Sequence, residues 1–500
     1  MTAQNVDEME ATISPKNMFD IIIVGAGAGG SAIGALLAHK GYKILMVDKN
    51  PRAGGRMMAI HKDGFHYELF PINCVPQRNS HFERILKEID REDRVETIYP
   101  DPAGAMIYED SSGRVRQWLM GSSFLDSLKM IRAFGVRLWN LSEVIRTFSI
   151  LKKLATMKQE EIDQLYDVSS MDFMSQFKMP EGIRTYLLAS FGEGAFEITS
   201  DRSSAAEMIK LFQVTMKNSG GRYYKNGVGY VFEVFAETVR ELGGTVLFDT
   251  PVSKIIVNVM GETTGIITAD GEAYTAPIVI SNAGLRQTVL KLVGKEHYSD
   301  EYVDWISSLE HNLACVGYRW FLDAPILKLP MYVYYPEGCV ANYSEFVELA
   351  EGKKKPEKSY IYLGTTSLYS GLAPEGKQLV YACMSCLPDP NLDYSPYLEY
   401  VWEKVRKICP DLFDHIEKTE VFGPRQVPSV GTDAIFPGQG GESYGLGLTV
   451  GQTGDKQPKG DSPIKGLFHV GCDAGGSGLG THQALDSALN VLELVLKEIE

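Results

Sequence analysis

Residues 21–48 read IIIVGAGAGGSAIGALLAHKGYKILMVD, and few folds accept such a run. Ile21, Ile22, Ile23 and Val24 are β-branched and apolar without alternation, the composition of a parallel strand buried on both faces. Gly25, Gly27 and Gly30 follow at the spacing G-x-G-x-x-G. In a strand–turn–helix unit the first glycine permits the tight turn, the second lets backbone approach a diphosphate, and the third lets the helix pack closely on the strand. The first turn of that helix points free N–H groups and a positive dipole end at the phosphates. A second strand, KILMV, ends on Asp48, eighteen positions after Gly30, where a carboxylate can accept hydrogen bonds from a ribose hydroxyl. The stretch therefore reads as a dinucleotide cradle. The acid disfavours a 2′-phosphate, which leaves NAD and FAD.

Two further glycine-rich segments favour FAD. In DKNPRAGGRMMAI, Gly54, Gly55 and Arg56 follow the acid closely, as suits a loop that covers a diphosphate while a guanidinium offsets its charge. At the other end of the chain, residues 466–490 read GLFHVGCDAGGSGLGTHQALDSALN. LFHV reads as a strand, and Gly471, Asp473, Gly475, Gly476, Gly478 and Gly480 form a loop. A final helix follows, with Leu485, Leu489, Leu492, Leu496 and Ile499 on its apolar face. Its N-terminus offers N–H groups and partial positive charge where a reduced flavin ring accumulates negative charge. Thr481 and His482 follow the glycines and are candidates for handling a proton at the ring edge. Helix capping by Thr481 and plain packing of His482 are the competing readings. Tyr223, Tyr224 and Tyr444 are further candidates.

Composition narrows the class. A chain of 500 residues, 44% hydrophobic, is long enough for two or three domains. A net charge of −15 and a pI of about 5.2 argue against nucleic acid as a partner. The cysteines, Cys74, Cys315, Cys339, Cys383, Cys386, Cys409 and Cys472, are odd in number and sparse, so no disulfide framework is expected. Cys383 and Cys386 form a lone CxxC that reads as a strand with thiols packed as small hydrophobes, a redox pair being the alternative. His61 and His66 are the nearest histidine pair and have no second ligand pair beside them, so no metal site is expected. The N-terminus lacks the basic and apolar regions of a signal peptide, and no run of about 18 apolar residues occurs. A cytoplasmic location is the expectation.

With these pieces in view, the chain resembles the phytoene desaturase and retinol saturase group of flavoproteins, within the flavin amine oxidase-like superfamily. The resemblance rests on VGAGAGGSAIGALLAHKGYKILMVDK, the GGR at 54–56, DGFHYELFP at 63–71, the central GVGYVFEVFAETVRELGGTVLFDTPVSKIIV, and the terminal GLFHVGCDAGG. In DGFHYELFP, Glu68 stands where the group usually carries Asp, and Phe70 where it carries Gly. The resemblance implies that backbone near Val252 touches the adenine side of FAD, that the strand entering SNAG at 281–284 returns Asn282 and Ala283 to the cofactor, and that Asp473 binds the ribityl chain. Taken with the glycine spacing, it puts the FAD contacts at Gly25, Gly27, Ala28, Gly29, Gly30, Asp48, Lys49, Gly54, Gly55, Arg56, Val252, Asn282, Ala283, Gly471, Asp473, Gly480 and Thr481. It implies hydride transfer between flavin N5 and a carbon of an apolar substrate, isoprenoid, carotenoid-like or alicyclic, desaturating or saturating a C–C bond. Such a reaction needs an electron acceptor, and no second nucleotide motif identifies one. Redox-neutral isomerisation of a polyene on FAD, and a flavin-free escort that binds prenyl groups, are the alternative readings. No feature of the sequence fixes an oligomeric state.

The expected fold is α/β: a discontinuous Rossmann-like FAD-binding domain over 18–75, 222–287 and 424–500, and a mixed α+β substrate domain built from two insertions, 76–221 and 288–423. Residues 1–17 are expected as a flexible tail. Tyr230 to about Leu242 reads as a helix stopped by Gly243 and Gly244, and Asp270-Gly271 as a hairpin turn. Alternating apolar and polar residues in the second insertion predict antiparallel strands. The first insertion reads as helical from about Ser122 to Gln164. Over 114–158 it carries Arg114, Arg116, Lys129, Arg132, Arg137, Arg146, Lys152, Lys153 and Lys158 against only Asp126 and Glu143, interleaved with Phe124, Leu128, Phe134, Leu138, Trp139, Ile145, Phe148 and Leu151. Two readings compete for 114–158, taken as a basic helix: a lid packed over the substrate cavity, or an amphipathic helix lying peripherally on an anionic membrane.

Overall fold

β1 (Ile21–Val24) and β2 (Ile44–Val47) are buried at every position, as short apolar runs must be when both faces of a sheet are covered. The computed structural model describes residues 17–70, 75–76, 80–121, 124–217, 221–369, 371–431 and 435–500. Within it these strands join β3 (Thr245–Leu247), β4 (Ile278–Ser281) and β5 (Leu467–His469) in one parallel sheet of order β3-β2-β1-β4-β5. The order reverses between β1 and β4. Open sheets of this type bind ligands outside the carboxyl ends of the strands at that switch point.

Three helices cover one face. α1 (Ala28–His39) packs between α2 (Gly229–Glu241) and α3 (Thr481–Ile499), burying Ile33, Leu36 and Leu37 against Val231, Phe235, Leu485 and Leu492. The close seat of α1 on β1 depends on Gly30, where a Cβ would overlap the Gly25 carbonyl oxygen. The start of α2 is closed by a side chain from far away. Glu68, at the end of the hairpin Ala59–Lys62/Phe65–Glu68, accepts from Val228 N at 2.6 Å and Gly229 N at 3.4 Å. Burial pushes this carboxyl up and the backbone donors pull it down, with burial dominant.

A second, seven-stranded sheet runs in the order Ile416–Phe422, Ala314–Leu322, Gln378–Cys386, Ile361–Gly364, Met331–Pro336, Ala105–Glu109 and Val115–Leu119. All its pairs are antiparallel except Met331–Pro336 with Ala105–Glu109, so the sheet is stitched from two distant stretches of chain. Cys383 and Cys386 sit three apart on a strand of this sheet, hence on opposite faces. Cys383 packs with Phe65 and Phe422, Cys386 with Trp320 and Tyr397, and the geometry separates the two thiols instead of pairing them.

One expectation is corrected by the structure. The basic stretch 114–158 is not a single helix. Val115–Leu119 is a strand, and two helices, Phe124–Ala133 and Leu141–Thr156, follow with a break between them. Gly135 at φ +89° ends the first helix. Asn140 caps the second by accepting from Glu143 N, while Glu143 also takes the Arg137 guanidinium at 2.6 Å. Local capping thus outcompetes continuation. Residues 1–16 of the expected tail, Pro71 and Cys74, and Ser122 at the expected helix start lie outside the described residues.

Candidate active site

The switch point opens into a cavity of about 1550 Å³, larger than the 300–1,000 Å³ or so typical of a site for one small molecule. One end of it is made where strands of the parallel sheet finish. Gly25, Gly27, Ala28 and Gly29 come from the β1–α1 turn, Asp48 and Lys49 follow β2, Asn282 and Ala283 follow β4, and Gly471 and Asp473 follow β5. Val252 adds a wall, and Gly480, Thr481 and His482 enter at the start of α3. Gly54, Gly55 and Arg56 fold over the first turn, with Gly54 N donating to Ala26 O at 2.8 Å. Of the sequence-selected cofactor residues only Gly30 stands behind the wall, in its packing role.

Asn282 ties the two glycine clusters together. Its Oδ1 accepts from Gly30 N at 3.0 Å and its Nδ2 donates to Val470 O at 2.8 Å. The turns it joins have no room for side chains. A Cβ on Gly27 would stand 2.7 Å from Asn282 Oδ1, and one on Gly29 would stand 3.0 Å from Gly471 Cα. Bare backbone is what this wall presents, as a diphosphate requires.

The polar residues at this end are held in place by backbone partners. Asp48 is buried, accepting from Ala26 N at 2.6 Å through one oxygen and Asn50 N at 2.7 Å through the other. A carboxylate has about four lone-pair sites, which leaves capacity for a ribose. Burial raises the pKa of Asp48 against the pull of those two N–H groups. Arg56 donates to Glu442 O at 3.1 Å and Lys49 to Pro428 O at 3.2 Å, which places both cations on the wall. Asp473 accepts from Leu285 N at 3.2 Å and Leu446 N at 2.9 Å, so its carboxylate is aimed by two other segments.

Of the residues expected to handle a proton, Thr481, His482 and Tyr444 line the cavity. His482 is packed edge-on against Phe82 at 5.3 Å between ring centroids, and burial, with His81 and Arg222 nearby, holds its pKa down to about 3. It is neutral at any physiological pH. Thr481 is the first residue of α3, and the cap is Gly480 at φ +51° with no side-chain hydrogen bond. Tyr224 is buried against Phe82, away from the cavity. Tyr444 does line it, donating to Phe196 O.

The other end of the cavity is apolar. Trp118, Met130, Tyr186, Phe191, Met331, Val333 and Tyr335 wall it, and at its rim Tyr99, Leu119 and Met216 are solvent-exposed. Among the acids that line the cavity is one that the sequence reading passed over. Glu197 follows a π-helical segment, Leu188–Glu193, and holds φ +49°, an uncommon conformation for a residue with a side chain. Its Oε2 accepts from Ser385 Oγ at 2.6 Å and its Oε1 from the Cys315 thiol at 3.2 Å, while Tyr360 OH lies 2.6 Å from Ser385 Oγ. Burial lifts its pKa to about 7 against both donors. The available signal was two glutamates four apart, Glu193 and Glu197, inside the otherwise uncharged run LLASFGEGAFEI.

A sequence model of the family described as flavin containing amine oxidoreductase matches residues 32–496. All-trans-retinol 13,14-reductase of Danio rerio is 22% identical over 522 residues, covering 91% of this chain and 82% of that protein. The zeta-carotene-forming phytoene desaturase of Myxococcus xanthus is 25% identical over 505 residues, 92% of this chain and 91% of its own. Among solved structures, an oxidoreductase from Methanosarcina mazei superposes with a TM-score of 0.72 at 17% identity, covering 95% of this chain and 100% of that one.

Proposed function

Because the chain belongs to the flavin containing amine oxidoreductase family and is an FAD-dependent oxidoreductase, we propose that it adds hydrogen to, or removes it from, a carbon–carbon bond of an apolar polyene. The observation that carries this reading is one continuous cavity with a glycine-lined nucleotide end and an apolar, aromatic and methionine-lined end. Bound FAD supplies reversible two-electron hydride chemistry. The chain supplies the rest. Backbone at Gly25, Gly27 and Gly29 receives the diphosphate, Asp48 the ribose, and Arg56 offsets phosphate charge. The start of α3 presents N–H groups to the ring. Trp118, Phe191 and Tyr335 exclude water, and Met130 and Met331 adapt to a flexible chain. We assign this substrate end to residues 76–221 and 288–423, and the cofactor end to 18–75, 222–287 and 424–500.

The test is anaerobic incubation of stoichiometric amounts of the oxidised and of the dithionite-reduced flavoprotein with an acyclic tetraterpene, with retinol and with a primary diamine, followed by mass analysis of each. The expected result is a polyene that has gained or lost two hydrogens and an untouched amine. Oxidation of the amine alone, or isomerisation without gain or loss of hydrogen, contradicts the reading.

We further propose that the substrate enters from a membrane surface. The helix Phe124–Ala133 lends Met130 to the chamber, and the loop after it exposes Trp139 at 85%, with Leu141 at 69% and Ile145 at 59% in the next helix. Lys129, Arg132 and Arg146 lie in the same two helices, each worth about 1 kcal/mol near an anionic surface. Among the described residues no helix is long and apolar enough to cross a bilayer, so the contact is peripheral. Trp139→Ser is expected to weaken co-sedimentation with anionic vesicles several-fold and to leave turnover of detergent-dispersed substrate unchanged. Equal sedimentation of variant and parent contradicts it.

A further inference from the structure

Removing or adding two hydrogens at a carbon–carbon bond requires a group that moves a proton as well as one that moves a hydride. We propose that Glu197 is that group, a catalytic residue that exchanges a proton with the substrate carbon next to the one exchanging hydride. The proposal rests on the hydrogen-transfer reading above.

Position is the first ground. Glu197 faces the chamber, and Tyr444 links it to the cofactor end. The Tyr444 ring lies 3.8 Å from the Cβ position of Gly480 at the start of α3, and its hydroxyl donates to the carbonyl of Phe196. One side chain thus spans from the α3 turn to the residue before the acid. The backbone is the second ground. Glu197 is held at positive φ while its carbonyl accepts from Leu313 N at 2.6 Å, so the surrounding structure imposes a conformation the residue disfavours.

Chemistry is the third ground. The carboxyl is oriented by two neutral donors, the Cys315 thiol on the strand Ala314–Leu322 and the Ser385 hydroxyl on Gln378–Cys386. The other titratable groups around it are Tyr360, Tyr444, Cys386 and Glu193, and burial raises the pKa of each of them. Burial outweighs the two donors, so the carboxyl changes charge close to neutral pH, as an acid–base group should. In dehydrogenation the Glu197 carboxylate takes a proton from one carbon. The electron pair of that C–H bond becomes the second bond of C=C, and the adjacent hydrogen leaves with its pair to a two-electron acceptor, the office of the family's flavin. In saturation the same atoms move in reverse, and protonated Glu197 donates.

The test compares the parent flavoprotein with Glu197→Gln and Glu197→Asp. Glu197→Gln is expected to retain the full flavin absorbance and to lose turnover by about 10²–10⁴-fold, the usual contribution of a positioned acid–base group. Glu197→Asp is expected to recover part of it. In the parent, dehydrogenation is expected to rise with pH through about 7 and level off, whereas saturation falls over the same range, and this limb is absent from Glu197→Gln. Infrared titration of the substrate-free flavoprotein adds a readout independent of turnover: a protonated-carboxyl band that fades through neutral pH in the parent and is missing from Glu197→Gln. Parent-like turnover in Glu197→Gln, an unchanged pH profile, or a carboxyl ionised throughout the neutral range overturns the assignment. Inactivity of the parent on every polyene instead sinks the functional reading, and the infrared titration still judges Glu197.

Discussion

Gly30→Ala is expected to purify as a folded protein without flavin. A Cβ at this position overlaps the Gly25 carbonyl oxygen and stands 3.0 Å from Asn282 Cβ. Neither neighbour is the end of a flexible side chain, so α1 must lift from β1. Two things are lost with that movement. The Asn282 Oδ1 to Gly30 N bond breaks, and the N–H groups of the first turn of α1 no longer converge on one point. Hydrogen bonds to charged groups contribute about 1.5–3 kcal/mol each, so losing two of those N–H bonds to the diphosphate weakens FAD binding by about 10²–10⁴-fold. The ratio of flavin to protein absorbance after purification measures it. Gly41→Ala is the control. Gly41, unlike the helical Gly30, has positive φ, +93°, but a Cβ there meets nothing, so the change is expected to cost about 1 kcal/mol of stability and to leave the flavin in place.

Glu197→Gln is expected to stabilise the fold at alkaline pH while it removes activity. Burial raises the Glu197 pKa from 4.5 to about 7, so the folded state binds this proton more tightly than the unfolded chain does. The contribution to stability is therefore fully present below about pH 4.5 and is lost as pH rises to about 7. At 1.36 kcal/mol per pH unit the loss reaches about 3 kcal/mol. Glutamine carries no charge to bury, so the thermal midpoint of the variant exceeds the parent's at pH 8, and the gap shrinks toward pH 5. A gap that is absent, or that grows on acidification, contradicts the burial of this carboxyl beside the chamber.

What could be read in advance was local. Ile21–Val24, the glycine spacing and Asp48 announce themselves because each states a backbone or packing requirement within a few residues. The role of Asn282 as a clasp was not legible, since it joins Gly30 to Val470 across 252 and 188 positions. Glu68 registered only as a departure from a family pattern, whereas in the fold its extra methylene reaches the N-terminus of α2. The break at 134–140 had a readable signal in Asn140 followed by Glu143, but the continuous basic and apolar pattern masked it. Glu197 was hidden for a different reason. Its meaning comes from Cys315 and Ser385, 118 and 188 positions away, and a glutamate in an apolar run has no local motif.

The measurement that bears most directly on the central claim is an FAD titration of the stripped protein, together with one variant in each glycine cluster, Gly30→Ala and Gly471→Ala. Gly471 has φ +122°, and a Cβ there would collide with the Asn282 amide, so both variants disturb the same clasp from opposite sides. One FAD per chain in the parent, and loss of that single site in either variant, is the expected result. A folded parent that takes up no FAD, or a variant of either cluster that binds it as the parent does, would show that the two ends of the chain do not close around one dinucleotide.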